Sequence, residues 1–416
     1  MLINRPRGTN DILPGDVEKW QFVEETAREV CRRFNVKEIR TPIFEHTELF
    51  QRGVGDTTDI VQKEMYTFED RGERSLTLRP EGTAAVTRAY TENKLYAQPA
   101  PQKLFYIGPM FRYERPQSGR YRQFHQFGVE VLGVNDPAVD AEVIALAMTF
   151  LHEIGLQDLS LEINSVGSPD SRTHYRDILR EHLTPVKEQL CKDCQTRFDK
   201  NPMRILDCKV DTCKGLTQDA PYMLDHLVEA DAEHFKALCE YLDSFGVEYK
   251  VNPRMVRGLD YYTQTAFEII ESGSTIGGGG RYNGLVEQVG GPESPGIGFA
   301  FGVERCLIAL NTQQVTPDIP TGLDVFLVSL GEAAQKATSA LLQEFRISGL
   351  VADKDYLGKS MKAQMKAADR QQARRVVILG DDELAQGVAN VKDMATGEQS
   401  TVGIDELTSH LLSTLE

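Results

Sequence analysis

The chain has 416 residues, 41% apolar and 26% charged, enough for roughly two to four domains with full cores. A formal charge of −16 argues against non-specific polyanion binding over the whole surface, and no apolar run reaches the length of a membrane span. The N-terminal MLINRPRGTNDILPG lacks the apolar core of a secretion signal, and seven irregularly spaced cysteines do not make a secreted disulfide framework, so a cytoplasmic chain with free or metal-bound thiols is expected.

In chain order, residues 16–34 predict an amphipathic helix with Val17, Trp20, Val23, Ala27, Val30 and Cys31 on one face. Residues 37–45, KEIRTPIFE, read as a strand whose Pro42 removes a ladder donor, which places it at an edge or a subunit contact. A hairpin is expected over 63–80 with its turn at Asp70-Arg-Gly72, and Arg79-Pro-Glu-Gly-Thr83 then opens a helix through Tyr90. The stretch 111–131, FRYERPQSGRYRQFHQFGVEV, reads as strand, polar loop, strand, and Arg112, Arg115, Arg120 and Arg122 crowd its turn. Alternation sends His125, Phe127, Val129 and Val131 to one face, and Gln126, Gly128 and Glu130 to the other. Gly128 then leaves a hollow between an amide and a carboxylate, suited to a small zwitterion joined to a polyphosphate. The plainer reading is a hairpin with a solvated basic tip.

A helix follows over 138–155, and a mostly helical insertion with few strand signals occupies about 166–240. Strand character returns at 248–251 and 261–270. The polar linker NTQQVTPDIPTG (311–322) precedes a β-α-β-α-β alternation, which predicts a separate domain with a mainly parallel sheet. Within it, Lys359, Lys362, Lys366, Arg370 and Arg374 recur at three- and four-residue spacing, a basic stripe on a helix or simply a solvated face.

Four segments look built for one site. The first is the 111–131 hairpin. In the second, Glu81 and Thr83 stand at a strand-to-helix junction, where a carboxylate can hold an ammonium group or merely favour a helix N-terminus. The third runs from Arg257-Gly-Leu-Asp-Tyr-Tyr262 to the glycine run Gly277–Gly284. Tyr261 and Tyr262 place one ring on each face of a strand, and the glycines either admit a ligand or form a turn. The fourth, Gly296–Arg305, carries Arg305 in the first turn of a helix, where a guanidinium can lie over an aromatic base. Separately, Cys191 and Cys194 are followed after thirteen residues by Cys208 and, four further on, Cys213, spacing that suits a structural tetrathiolate zinc site. A metal-free buried core is the alternative, as it is for Cys31, Cys239 and Cys306.

These residues carry a resemblance. Phe111-Arg112-Tyr113-Glu114 and its loop resemble the second signature of class II aminoacyl-tRNA synthetases, Gly302-Val-Glu-Arg305 the third, and the Pro42 strand the first, which builds the dimer interface. Arg257–Tyr262 and Gly278-Gly-Gly-Arg-Tyr-Asn-Gly-Leu285 resemble the two signatures peculiar to histidyl-tRNA synthetases. The resemblance implies an α+β catalytic domain over 1–320, built on a mainly antiparallel six- to seven-stranded sheet with flanking helices, and an α/β anticodon-binding domain over 323–416. It implies a bacterial-type homodimer that activates L-histidine with ATP and Mg²⁺ and passes it to the 3′ end of tRNA(His), with no role for DNA or a membrane. Arg112 and Arg257 would flank the α-phosphate, Phe124 and Arg305 would sandwich adenine, and Glu114 and Arg120 would hold its edge and the outer phosphates. Glu81, Thr83 and Gln126 would hold the α-amino group, with Glu130 and Tyr262 on the imidazole, Tyr282 closing the pocket and Tyr261 also among the histidine-binding residues. Arg115, Arg120 and Arg122 would face the tRNA acceptor end, and Lys362, Lys366 and Arg370 the anticodon side. A regulatory paralogue of the family typically loses motif residues and the C-terminal domain; here Arg112, Arg257, Glu304 and Arg305 are all present.

Overall fold

A computed structural model describes residues 3–55, 58–206, 208–256, 261–319 and 321–415. The chain divides into two compact units, Met1–Pro317 and Asp318–Glu416. Among the described residues, no helix is long and apolar enough to cross a membrane.

The first unit is organised by an eight-stranded sheet. Its strands lie side by side in the order Lys37–Glu38, Gln102–Phe111, Gln123–Leu132, Gly296–Gly302, Ser274–Arg281, Thr263–Glu271, Ser160–Ser165 and Lys250–Val251. The inner six are antiparallel, and the two-residue edges pair in parallel, which accounts for the excess over six or seven. The expected 37–45 strand is split. Lys37–Glu38 joins this sheet, while Phe44–His46 pairs with Ser75–Leu78 in a separate three-stranded sheet with Tyr66–Glu69. Pro42 lies between them, where a missing N–H interrupts any continuous ladder.

One face of the large sheet packs on helices Val17–Arg33 and Pro137–Glu153. Here Phe127, Val129 and Val131 join Val23, Ile144 and Phe150 in the main core, as the alternation of the 123–132 strand requires. The 137–153 helix starts where its sequence says it should. Asp136 accepts a hydrogen bond from the Ala138 amide at 2.8 Å, and Pro137 takes the first helical position.

The glycine run is neither turn nor open loop: Gly277–Gly280 lies inside the 274–281 strand. A Cβ at Gly279 would sit 2.0 Å from the Gly298 carbonyl oxygen, and one at Gly277 would sit 2.0 Å from the Phe301 ring. Close strand packing fixes these glycines. At the end of the run Arg281 is 0% exposed, and its Nη2 lies 2.6 Å from Oδ1 of the equally buried Asp140. His234 and Thr265 also reach that carboxylate, at 2.9 and 2.6 Å.

The insertion has its own small core of Tyr175, Leu179, Phe198, Met203 and three cysteines. Helix Glu229–Ser244 does not belong to it. Leu238 and Leu242 bury in the main core, so the inserted segment ends before residue 229.

The second unit has a five-stranded sheet ordered Ala352–Lys354, Val325–Leu330, Arg375–Gly380, Val388–Asp393 and Gln399–Gly403. The first three strands are parallel and the last two form an antiparallel hairpin that the β-α-β-α-β reading leaves out. Its signal is modest: a turn ending at Gly397, with φ +79°, between two short alternating runs. Helix Met361–Arg370 buries Gln364 and Ala368 and exposes Lys362, Lys366 and Arg370, while Lys359 and Arg374 lie off its ends. Arg374 is tied down, with Nη2 2.7 Å from the Leu415 carbonyl.

Candidate active site

On the face of the large sheet opposite the main core, a cavity of about 580 Å³ gathers residues from segments far apart in sequence. Its arginine-lined end is built by the hairpin 102–132, whose two strands pair from Gln102↔Leu132 to Phe111↔Gln123. Arg112 leaves the first strand with Nε donating to the Pro80 carbonyl at 2.8 Å, and its guanidinium carbon is 5.2 Å from the Phe124 ring centroid. Glu114 stands between Arg112 and Arg120, at 3.9 and 3.5 Å. Arg305 reaches the same cavity from helix Val303–Thr312, donating from Nη1 to the Thr275 carbonyl at 2.7 Å. Its neighbour Glu304 accepts from the His125 amide at 3.0 Å, pinning the hairpin to the helix.

The other end is lined by Glu81, Thr83, Gln126, Tyr261, Tyr262 and Tyr282. Glu81 accepts the amides of Thr83 at 2.7 Å and Ala84 at 2.9 Å, so the helix-capping reading holds while the carboxylate also borders the cavity. Burial raises its pKa above the ordinary value. The side-chain oxygen of Gln126 is buried and has no hydrogen-bond partner among the described residues. Tyr261 and Tyr262 precede the 263–271 strand, and both rings line the cavity 4.8 Å apart rather than flanking a strand.

Two expectations about the hairpin's inner face change. The space over Gly128 is not a hollow. It holds the phenol of Tyr106, whose ring would lie 2.3 Å from a Cβ at that position. Tyr106 has no motif around it and was invisible as a site residue; only its cross-strand register opposite Gly128 would have found it. Glu130, in turn, is 1% exposed and sits behind the cavity wall. Its oxygens accept from Thr83 Oγ1 at 2.6 Å and Tyr282 OH at 2.5 Å, both residues that do line the cavity. It sinks this far because Gly298 opposes it: a Cβ there would lie 2.0 Å from Glu130 Oε2. Burial pushes the Glu130 pKa up to about 8.

Other site expectations scatter. Arg257 lies outside the described residues. Arg115 is exposed in the hairpin loop. Arg122 stacks on Tyr113 at 3.9 Å and packs against Gly8. The four sulfurs of Cys191, Cys194, Cys208 and Cys213 all lie within 4.8 Å of one another. The Cys191 amide donates to Cys213 Sγ at 3.2 Å, and hydrogen bonding, first from the Cys194 amide, lowers the Cys191 pKa. The Cys194 thiol is raised by burial.

A six-stranded antiparallel core with an arginine-bearing cavity on one face is the architecture of a class II aminoacyl-tRNA synthetase. The histidyl-tRNA synthetase family model matches residues 8–306, and a model described as an anticodon binding domain matches residues 324–414. The chain is 59% identical over 411 residues to a histidine–tRNA ligase of Desulforamulus reducens, covering 98% of each. It is 55% identical over 413 residues to the histidine–tRNA ligase of Bacillus subtilis, covering 98% of this chain and 97% of the relative. The crystal structure of apo histidyl-tRNA synthetase from S. aureus superposes with a TM-score of 0.86 at 45% identity, over 99% of this chain and 100% of that one. The chain therefore belongs to the histidyl-tRNA synthetase family.

Proposed function

We propose that this chain activates L-histidine with ATP and transfers the histidyl group to the 3′ end of tRNA(His). The observation that carries the reading is one cavity with three arginines at one end and, at the other, a buried carboxylate, a hydroxyl and the amide oxygen of Gln126, unpartnered among the described residues. An ammonium group is the donor such an oxygen lacks. Glu81, Thr83 and Gln126 take the α-amino group, and Tyr261 and Tyr262 border the imidazole. Glu130 acts from behind through Tyr282 and Thr83, and Tyr282 closes the pocket. The histidine carboxylate oxygen attacks the α-phosphorus and pyrophosphate leaves, its charge met by Arg112 with Arg120 and Arg305 beyond it. Phe124 and Arg305 hold the adenine, and Glu114 its edge. Arg257 is assigned to the opposite side of the α-phosphate on its motif alone. In the second step the terminal ribose hydroxyl of tRNA attacks the activated carbonyl and AMP leaves. Mg²⁺ accompanies ATP.

Histidine-dependent exchange of labelled pyrophosphate into ATP tests this directly. Exchange with histidine and with no other amino acid is expected. No exchange, or a response to a different amino acid, sinks it. The basic stripe of Lys362, Lys366 and Arg370 is assigned to tRNA, with Arg115 and Arg122 near the acceptor end. A cytoplasmic homodimer completes the reading, supported by the family and by the edge position of Lys37–Glu38.

The four-cysteine cluster is assigned a structural zinc ion. Tetrahedral thiolate coordination at about 2.3 Å puts sulfurs about 3.8 Å apart, and Cys191 and Cys208 already stand at 3.9 Å. All four residues would supply thiolates, and the ion would hold together an insertion whose own core is small. Purified protein is expected to carry one zinc per chain. Cys213→Ser should release it and make the 190–216 segment sensitive to protease; unchanged metal content and unchanged cleavage would remove the assignment.

A further inference from the structure

We propose that Lys209 is a binding residue for the outer phosphates of ATP, presented to the cavity by the cysteine cluster. Lys209 directly follows Cys208, which is buried in the core of the insertion, yet it lines the same 580 Å³ cavity as Arg112, Arg120 and Arg305. Its side chain is exposed and makes no ion pair among the described residues. The other cations there are partly engaged. Arg112 and Arg120 share Glu114, and Arg305 is held by the carbonyl oxygens of Thr275 and Gly119, at 2.7 and 3.4 Å. Even with Mg²⁺ on the nucleotide, a cavity that also contains Glu81, Glu114, Glu268 and Glu304 leaves the outer phosphate oxygens room for a further cation. A lysine ammonium is a compact charge on a flexible stem, suited to following pyrophosphate as it departs. Fixing the main chain one residue away, at Cys208, limits the entropy lost when the side chain closes on the nucleotide.

The contact rests on the ATP reading above, and its presentation on the zinc reading. Pyrophosphate exchange without tRNA, on full-length protein, tests it with Lys209→Ala, Lys209→Arg and Cys208→Ser. Lys209→Ala should raise the KM for ATP about tenfold, leave the KM for histidine and the zinc content unchanged, and be largely rescued by arginine. Cys208→Ser should lose zinc and show the same ATP-selective rise. An active parent with an unaffected Lys209→Ala overturns the contact alone, as does a defect confined to tRNA charging. A parent with no exchange overturns the synthetase reading and the contact with it. A metal-free parent in which Lys209→Ala still raises the KM for ATP sinks the zinc reading and supports the lysine.

Discussion

Replacing Arg112 with alanine is expected to lower histidine-dependent pyrophosphate exchange by on the order of 10³-fold, the scale of removing one preorganised cation from a phosphoryl-transfer centre. The side chain is held before any substrate arrives. Its Nε is anchored on the Pro80 carbonyl at 2.8 Å and its plane lies near Phe124, so no reorganisation is needed when charge builds on the α-phosphate. The loss should fall mainly on kcat, because the contact strengthens in the transition state. Lysine should not rescue it: an ammonium has neither the fork that reaches both Pro80 and a ligand nor the flat face that meets an aromatic ring. Folding should survive, since Glu114 keeps Arg120 as its partner at 3.5 Å. A fall of less than tenfold would take Arg112 out of the centre of the reaction.

What could be read in the sequence followed from how local its physics was. The alternation from His125 to Val131 is a property of one strand, and both of its faces came out as written. The capped helix starting at Pro137 was likewise legible, since its cap is fixed by its immediate neighbours. Arg112 and Arg305 were singled out by their local motifs and both line the cavity, although the carbonyls that hold them, Pro80 and Thr275, lie about thirty residues away. Several of the misreadings involve a partner far along the chain. Tyr106 fills the space over Gly128 from the adjacent strand, and Gly298 lets Glu130 sink behind the wall from the strand on the other side. For Gly277–Gly280 the turn alternative fails, because the run lies in a strand, while Gly277 and Gly278 do border the cavity. Only the neighbouring strands explain why no Cβ fits at Gly277, Gly279 or Gly280. The insertion boundary failed for the same reason: the 229–244 helix is charged like its neighbours, but His234, Leu238 and Leu242 find Asp140 and the main core. Lys209 carried no signal at all, because nothing in its own segment points toward the cavity.

Replacing Glu130 with glutamine should flatten the pH dependence of stability between about pH 5 and 8. The carboxyl is raised from an ordinary value of 4.5 to about 8, chiefly by burial, with Glu81 adding to the rise. Across that interval the folded protein keeps a proton that the unfolded chain gives up. Stability from this group is therefore fully present below pH 4.5 and is lost as pH climbs toward 8, at about 1.4 kcal/mol per pH unit. Glutamine cannot ionise, so the variant loses that slope while keeping a hydrogen-bonding group opposite Thr83 and Tyr282. Thermal melts of both proteins at pH 6 and pH 8 read the difference. The Tm gap should move in favour of the glutamine variant as pH rises, and parallel curves would mean that Glu130 is ionised throughout. Function should change in a way a purely structural carboxyl would not produce. Tyr282 and Thr83 line the end of the cavity proposed for histidine, so altering what they donate to should raise the KM for histidine, about tenfold, and leave the KM for ATP alone. A rise in both would mean that the whole cavity had shifted, and Glu130 would then be holding the sheet rather than tuning the pocket.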